Sequence, residues 1–194
     1  MRGKLNKQLG LIIALIVIIT ACTHSTTPKP RGYFRITFPE HEYSLYQDGK
    51  PYTFEASKHA NVIADPSPHA EQYWLNIRYP QHKGVIHFSY KPVEDNLVVI
   101  LEDSRGLAYK HSIKADAIGE RVFASDENKT YGILYDIKGD AASSLQFFLT
   151  DSVKHFVRGS LYFDVIPNKD SLAPVVDFIK EDVMHLMETL KWED

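Results

Sequence analysis

The chain predicts an α+β fold: a largely antiparallel sheet with two main helices packed on it as a sandwich. Three observations carry this. Runs of alternating apolar and polar residues recur between Pro and Gly breakers, and the 11 Tyr and 10 Phe suit half-buried strands. Two segments carry an apolar repeat of helical period. The strand runs fall into two groups, with one helix between them and one after, rather than in alternating βα units.

The first strand is expected over residues 32–38, which alternate and stop at Pro39. Residues 52–55 and 61–64 are short strands, the second ended by Asp65-Pro66-Ser67-Pro68. Residues 73–79 and 85–90 read as a hairpin across a short turn containing Gly84. A helix over 94–112 places Leu97, Ile100, Leu101, Ser104, Leu107, Ala108 and His111 on one face. Strands follow at 118–124, 130–137, 144–150 and 155–165, the last two pairing across Asp151-Ser152, and Pro167-Asn168 ends the sheet. The last helix has Asp170 or Ser171 as its cap and Pro174 in its first turn. Leu172, Val175, Val176, Ile179, Val183, Leu186, Met187 and Leu190 form its core-facing stripe.

Upstream, Arg2, Lys4 and Lys7 precede an unbroken apolar run at 11–19, the layout of a secretory signal. Ile19-Thr20-Ala21-Cys22 then has the aliphatic, small, small, Cys pattern of a bacterial lipobox, and Cys22 is the single cysteine. The thiol would take a diacylglyceryl group, and a peptidase needing small side chains would cut between Ala21 and Cys22. A retained membrane helix needs roughly 20 apolar residues, more than this run has. A soluble exported protein would leave a lone thiol unexplained. The expected organisation is a signal peptide at 1–21, a lipidated terminus and tether at 22–31, and one globular domain at 32–194. The nine tether residues after Cys22 span about 30 Å at most.

The net charge of −3 includes the three basic leader residues; without them 19 basic residues face 25 acidic ones, a balance of −6. That argues against a nucleic-acid partner and against a basic patch docking on anionic lipid. Membrane attachment therefore falls to the acyl chains on Cys22. With one cysteine there is no intrachain disulfide, and the fold must rest on its hydrophobic core.

Nine histidines invite a metal hypothesis. His24 lies in the tether, His41, His59, His69 and His82 among loop signals, His87 in a strand, His111 near a helix end and His155 at a strand start. Their spacing lacks ligand-set grammar, so no metal and no cofactor beyond the covalent lipid is expected. Ser143, Ser144, Asp151, Ser152 and His155 cluster in sequence, but without a nucleophile elbow, and Asp151-Ser152 reads as a turn. Gly139-Asp140-Ala141-Ala142-Ser143 lacks the lysine of a phosphate loop. A pair of carboxylates acting on a glycan stays open, because separation in space is not visible in sequence. No catalytic residue is assigned. Adjacent Phe147 and Phe148, and Tyr162 and Phe163, suggest a sheet covered on both faces. The alternative is a partly exposed aromatic face for a partner, with Trp74 and Trp192 open between interface and core.

The order of elements resembles PsbP-like and Mog1-like domains, an analogy of fold alone. A closer resemblance rests on Pro28-Lys29-Pro30-Arg31-Gly32-Tyr33, Ile86-His87-Phe88-Ser89-Tyr90, and the run from Tyr109 to Asp116. It continues through Tyr131-Gly132 to Asp136, Ala141-Ala142-Ser143, Gln146-Phe147, Thr150-Asp151-Ser152, His155-Phe156, Gly159-Ser160-Leu161-Tyr162-Phe163 and Met187-Glu188-Thr189-Leu190-Lys191-Trp192. In these stretches the chain resembles the gliding-motility lipoprotein GldD family of Bacteroidota. The resemblance implies a lipoprotein that supports assembly or stability of the gliding apparatus and the linked type IX secretion machinery. Its partners would be other envelope proteins of those machines, and Cys22 is the sole site residue it carries over. Relatives often have cysteines where this chain has Lys50 and Tyr73; a disulfide there would be absent here. In Bacteroidota, acidic residues just after the lipidated cysteine accompany export to the cell surface. Their absence after Cys22 implies a periplasm-facing position, at the outer membrane. The alternatives are an envelope lipoprotein that binds a glycan or lipid, or an envelope hydrolase.

Overall fold

The computed structural model describes residues 36–110 and 114–193. In chain order these form β1 (Tyr43–Tyr46), β2 (Tyr52–Ser57), β3 (Asn61–Ala64), β4 (Leu75–Tyr79) and β5 (Gly84–Pro92). Helix α1 (Leu97–Tyr109) follows, then β6 (Ala115–Ser125), β7 (Thr130–Gly139), β8 (Ser143–Thr150) and β9 (His155–Phe163). Helix α2 (Lys169–Thr189) and the short β10 (Lys191–Trp192) complete the chain.

Two meanders meet edge to edge in one seven-stranded sheet of order β3-β4-β5-β9-β8-β7-β6, antiparallel at every pairing. β9 returns beside β5, so α1 carries the chain from the middle of the sheet to its far edge. β1, β2 and β10 make a separate three-stranded sheet. The expected α+β sandwich is what the chain forms.

Strand alternation decides which face each side chain covers. Leu134, Leu145, Phe147, Leu149, Val157 and Leu161 join Ile77, Ile86 and Phe88 on one face, packed with Val175, Ile179, Val183 and Leu186 of α2 and with Tyr52 and Phe54 of β2. Tyr135, Ile137, Phe148 and Phe156 point the other way and meet Leu97, Ile100, Leu101 and Ala108 of α1. Helices therefore cover both faces, and Phe147 and Phe148 are buried on opposite sides. Two glycines make close approaches that a side chain would block. A Cβ on Gly132 would lie 1.9 Å from the Phe148 carbonyl oxygen, and one on Gly159 would lie 2.2 Å from the Phe147 ring.

Several expectations are corrected. The strand foreseen at 32–38 is not formed over 36–38, which run without regular structure; residues 32–35 lie outside the described residues. Phe38 instead stacks on Phe178 with ring centroids 4.8 Å apart. The cap of α2 is Asn168, whose side chain accepts from the Ser171 amide, not Asp170 or Ser171. Its extended backbone aims the side-chain oxygen back at the first turn, where amides have no helical partner. α1 is shorter than expected, Leu107 is 39% exposed rather than buried, and His111 lies outside the described residues.

Candidate functional site

α1 covers only the β6–β9 half of its face. Beyond Phe148 and Phe156 that face turns polar. Register places Ser89 opposite Arg158, His87 opposite both Ser160 and Asn76, and Gln146 opposite Ser160. These side chains form a patch across β4, β5, β9 and β8. The Arg158 guanidinium donates to Gln146 Oε1 at 2.5 Å, and no carboxylate pairs with it among the described residues. Burial lowers its pKa from the ordinary arginine value, opposed by the nearby Tyr162. Gln146 is 1% exposed and Ser160 2% exposed, yet Gln146 Nε2 and Ser160 Oγ have no hydrogen-bond partner. Leaving a buried donor unsatisfied costs about 1–3 kcal/mol, so two in one patch, beside an arginine without a counter-ion, is a concentration of unmet donors.

His87 fixes the patch at its β4 side. Asn76 Nδ2 donates to Asp65 Oδ1 at 3.3 Å, so its Oδ1 accepts, and His87 Nδ1, 2.7 Å away, is the donor. His87 and Tyr162 then line a groove of about 570 Å³ together with Arg78, Lys83 and Asp164. What this face offers chemically is hydrogen-bond donors without acceptors of their own.

A second polar cluster ties the start of the domain to α2. Asp182 is 3% exposed within the apolar stripe of α2. His41 Nδ1 lies 2.7 Å from Asp182 Oδ1, and His41 Nε2 lies 2.9 Å from Glu181 Oε2. Asp182 Oδ2 has no partner. Burial, then the charge of Asp182, raises the Tyr43 phenol to about 12 and also raises that of Tyr79. The rings of Phe38, His41, His59 and His82 surround Phe178. Burial lowers the pKa of His82, as does His59. Tyr43 also stacks on His185 at 3.6 Å, while His185 Nε2 meets Glu55 Oε2 at 2.6 Å. This is a clasp that locks residues 38–43 onto α2. His185 has no sign in the sequence of its partners, because Tyr43 and Glu55 reach it from distant strands.

The residues singled out from sequence have specific places. Cys22 and His24 lie outside the described residues. Asp151 Oδ1 accepts from the amides of Val153, Lys154 and His155, which is the expected turn. Ser143 donates to the Leu145 carbonyl, and the His155 ring meets the Tyr90 hydroxyl at 2.9 Å and stacks on Trp192. The Asp-Ser-His cluster in sequence is thus a capped turn in space. Among the described residues no group of three His, Cys, Asp or Glu side chains is placed to hold a metal ion, and no helix is long and apolar enough to cross a membrane. Trp74 donates to the Tyr90 carbonyl and Trp192 to that of Lys129. The Tyr52 hydroxyl donates to the Tyr73 carbonyl at 2.5 Å, tying together the segments that hold Lys50 and Tyr73.

A sheet with helices on both faces and a buried polar patch beside one of them defines an α+β sandwich domain. The model of the family described as gliding motility lipoprotein GldD matches residues 23–192, and the chain belongs to that family. Lipoprotein membership implies a membrane-anchored place in the cell envelope and association with the motility machinery. Among solved structures the chain is similar to cyanobacterial PsbP (CyanoP) from Synechocystis sp. PCC 6803, with TM-score 0.49 and 11% identity over 78% of this chain and 92% of that one. No curated protein matches it.

Proposed function

We propose that this gliding motility lipoprotein is a non-catalytic component that supports assembly or stability of the gliding apparatus and the linked type IX secretion machinery. Lipid on Cys22 holds it at the outer membrane, facing the periplasm. The observation that carries the reading is the family match, which spans nearly the whole chain beyond the leader. The acidic balance of the chain beyond the leader supports an acyl anchor over electrostatic adsorption to anionic lipid. A capped turn at Asp151 and a core-packed His155 favour a scaffold over a hydrolase. In a clean gene deletion, colonies should stop spreading and proteins that carry the type IX sorting domain should stay in the cell. Normal secretion by the deletion strain would sink the secretion half of the proposal, and normal spreading the motility half.

The ligand-binding alternative has its own observation in the Arg158 patch. A domain can scaffold a machine and bind a small group at once, so the two readings do not compete.

A further inference from the structure

We propose that the sheet face around Arg158 binds a phosphate group. The patch has donors without partners, and its amide acceptors are already engaged. Arg158 has one N–H on Gln146 Oε1, and the rest of its fork meets no carboxylate among the described residues. Gln146 Nε2 and Ser160 Oγ, on the two strands beside it, are buried without partners. Asp65, the nearest carboxylate in the Asn76–His87 network, already accepts from Asn76 and from the Ser67 amide. Arg78 and Lys83 add positive charge along the adjoining groove, against one carboxylate there, Asp164.

Phosphate fits this set. A guanidinium takes two oxygens of a phosphate in a fork. The further oxygens of a tetrahedral group stand out of the guanidinium plane as acceptors for an amide and a hydroxyl on neighbouring strands, whereas a carboxylate in the fork offers only its remaining in-plane lone pairs. Gln146 Oε1 then orients the guanidinium, while its amide nitrogen completes the ring of donors. The phosphate can belong to a lipid headgroup or to a soluble phosphate compound. The inference stands on the patch alone and is independent of the assembly role.

The test is nuclear magnetic resonance of the full-length, ¹⁵N-labelled chain in a neutral sugar detergent, titrated with inorganic phosphate, acetate or chloride at matched ionic strength. Phosphate should shift the Arg158 side-chain N–H, the Gln146 side-chain amide and the Ser160 amide with saturation, and acetate should act far more weakly. Arg158→Lys, which loses the fork, should weaken the response about tenfold. Gln146→Glu supplies an internal carboxylate; it should keep the native amide spectrum and lose the phosphate response. Absent shifts, equal responses to acetate or chloride, or titrations unchanged in both variants would overturn the proposal. Nanodiscs containing phosphatidylglycerol then separate the sources. A response to the lipid marks a headgroup site, a response to inorganic phosphate alone marks a soluble ligand, and a response to neither rejects the site.

Discussion

Asp151 shows how one side chain sets a pH dependence. Its burial raises the carboxyl pKa, but hydrogen bonds from the His155, Val153 and Lys154 amides outweigh this, and the net shift is downward from 3.8. A depressed carboxylate stabilises the fold above its unfolded value, and that contribution is lost as pH falls through the folded value. Asp151→Asn should therefore cost about 1 kcal/mol at neutral pH, discounted for partial exposure, and flatten the stability curve below pH 3.8. Urea denaturation across pH checks this; an unchanged acid limb would contradict it. His82 works in the opposite charge sense with the same outcome. Its pKa is depressed from 6.5, so the unfolded state gains its proton first and stability falls as pH drops below that value.

At the scale of elements, α2 and α1 differ in how firmly sequence determines them. α2 has a capped start and a stripe that buries Val175, Ile179, Val183, Leu186 and Met187, each contributing about 1.5–3 kcal/mol relative to exposure. α1 lacks a side-chain cap, exposes Val98 and Val99, and carries Gly106 in its interior with open space around it. Gly106→Ala should therefore raise stability by about 0.5–1 kcal/mol, because alanine restricts the unfolded chain and fills no occupied volume. A thermal melt with an unchanged or lower midpoint would contradict this.

The helices and the long strands were legible because their periodicity is sustained: eight of the ten residues of β7 fall in the expected strand, and Val175, Val176, Ile179, Val183, Leu186 and Met187 of the expected stripe are buried on α2. β1 and β10 were not, being four and two residues long at the margin of a small sheet. Residues 36–38 alternate like a strand, yet they run without regular structure and Phe38 stacks on Phe178. The polar clusters were half legible. Arg158 interrupts an apolar strand and Asp182 an apolar helical stripe, and each is a visible anomaly in sequence. Their partners were not visible, because Gln146 meets Arg158 through strand register and His41 meets Asp182 across 141 positions of chain.

At the scale of the whole molecule, the clasp and the Arg158 patch sit on different parts of the domain. The clasp at His41 and Asp182 fixes the segment that follows the tether to α2, so a pull on the tether would load a helix rather than a loop. The Arg158 patch lies on the opposite face of the sheet from α2. The clasp and the patch are thereby separated by the core of the domain, and each can be altered alone. The most direct test is colony spreading by a strain in which Cys22→Ala replaces the chromosomal residue, with protein level matched and lipid labelling followed in parallel. The account predicts loss of the lipid label together with loss of spreading. A strain that makes unlabelled protein and spreads like its parent would contradict it.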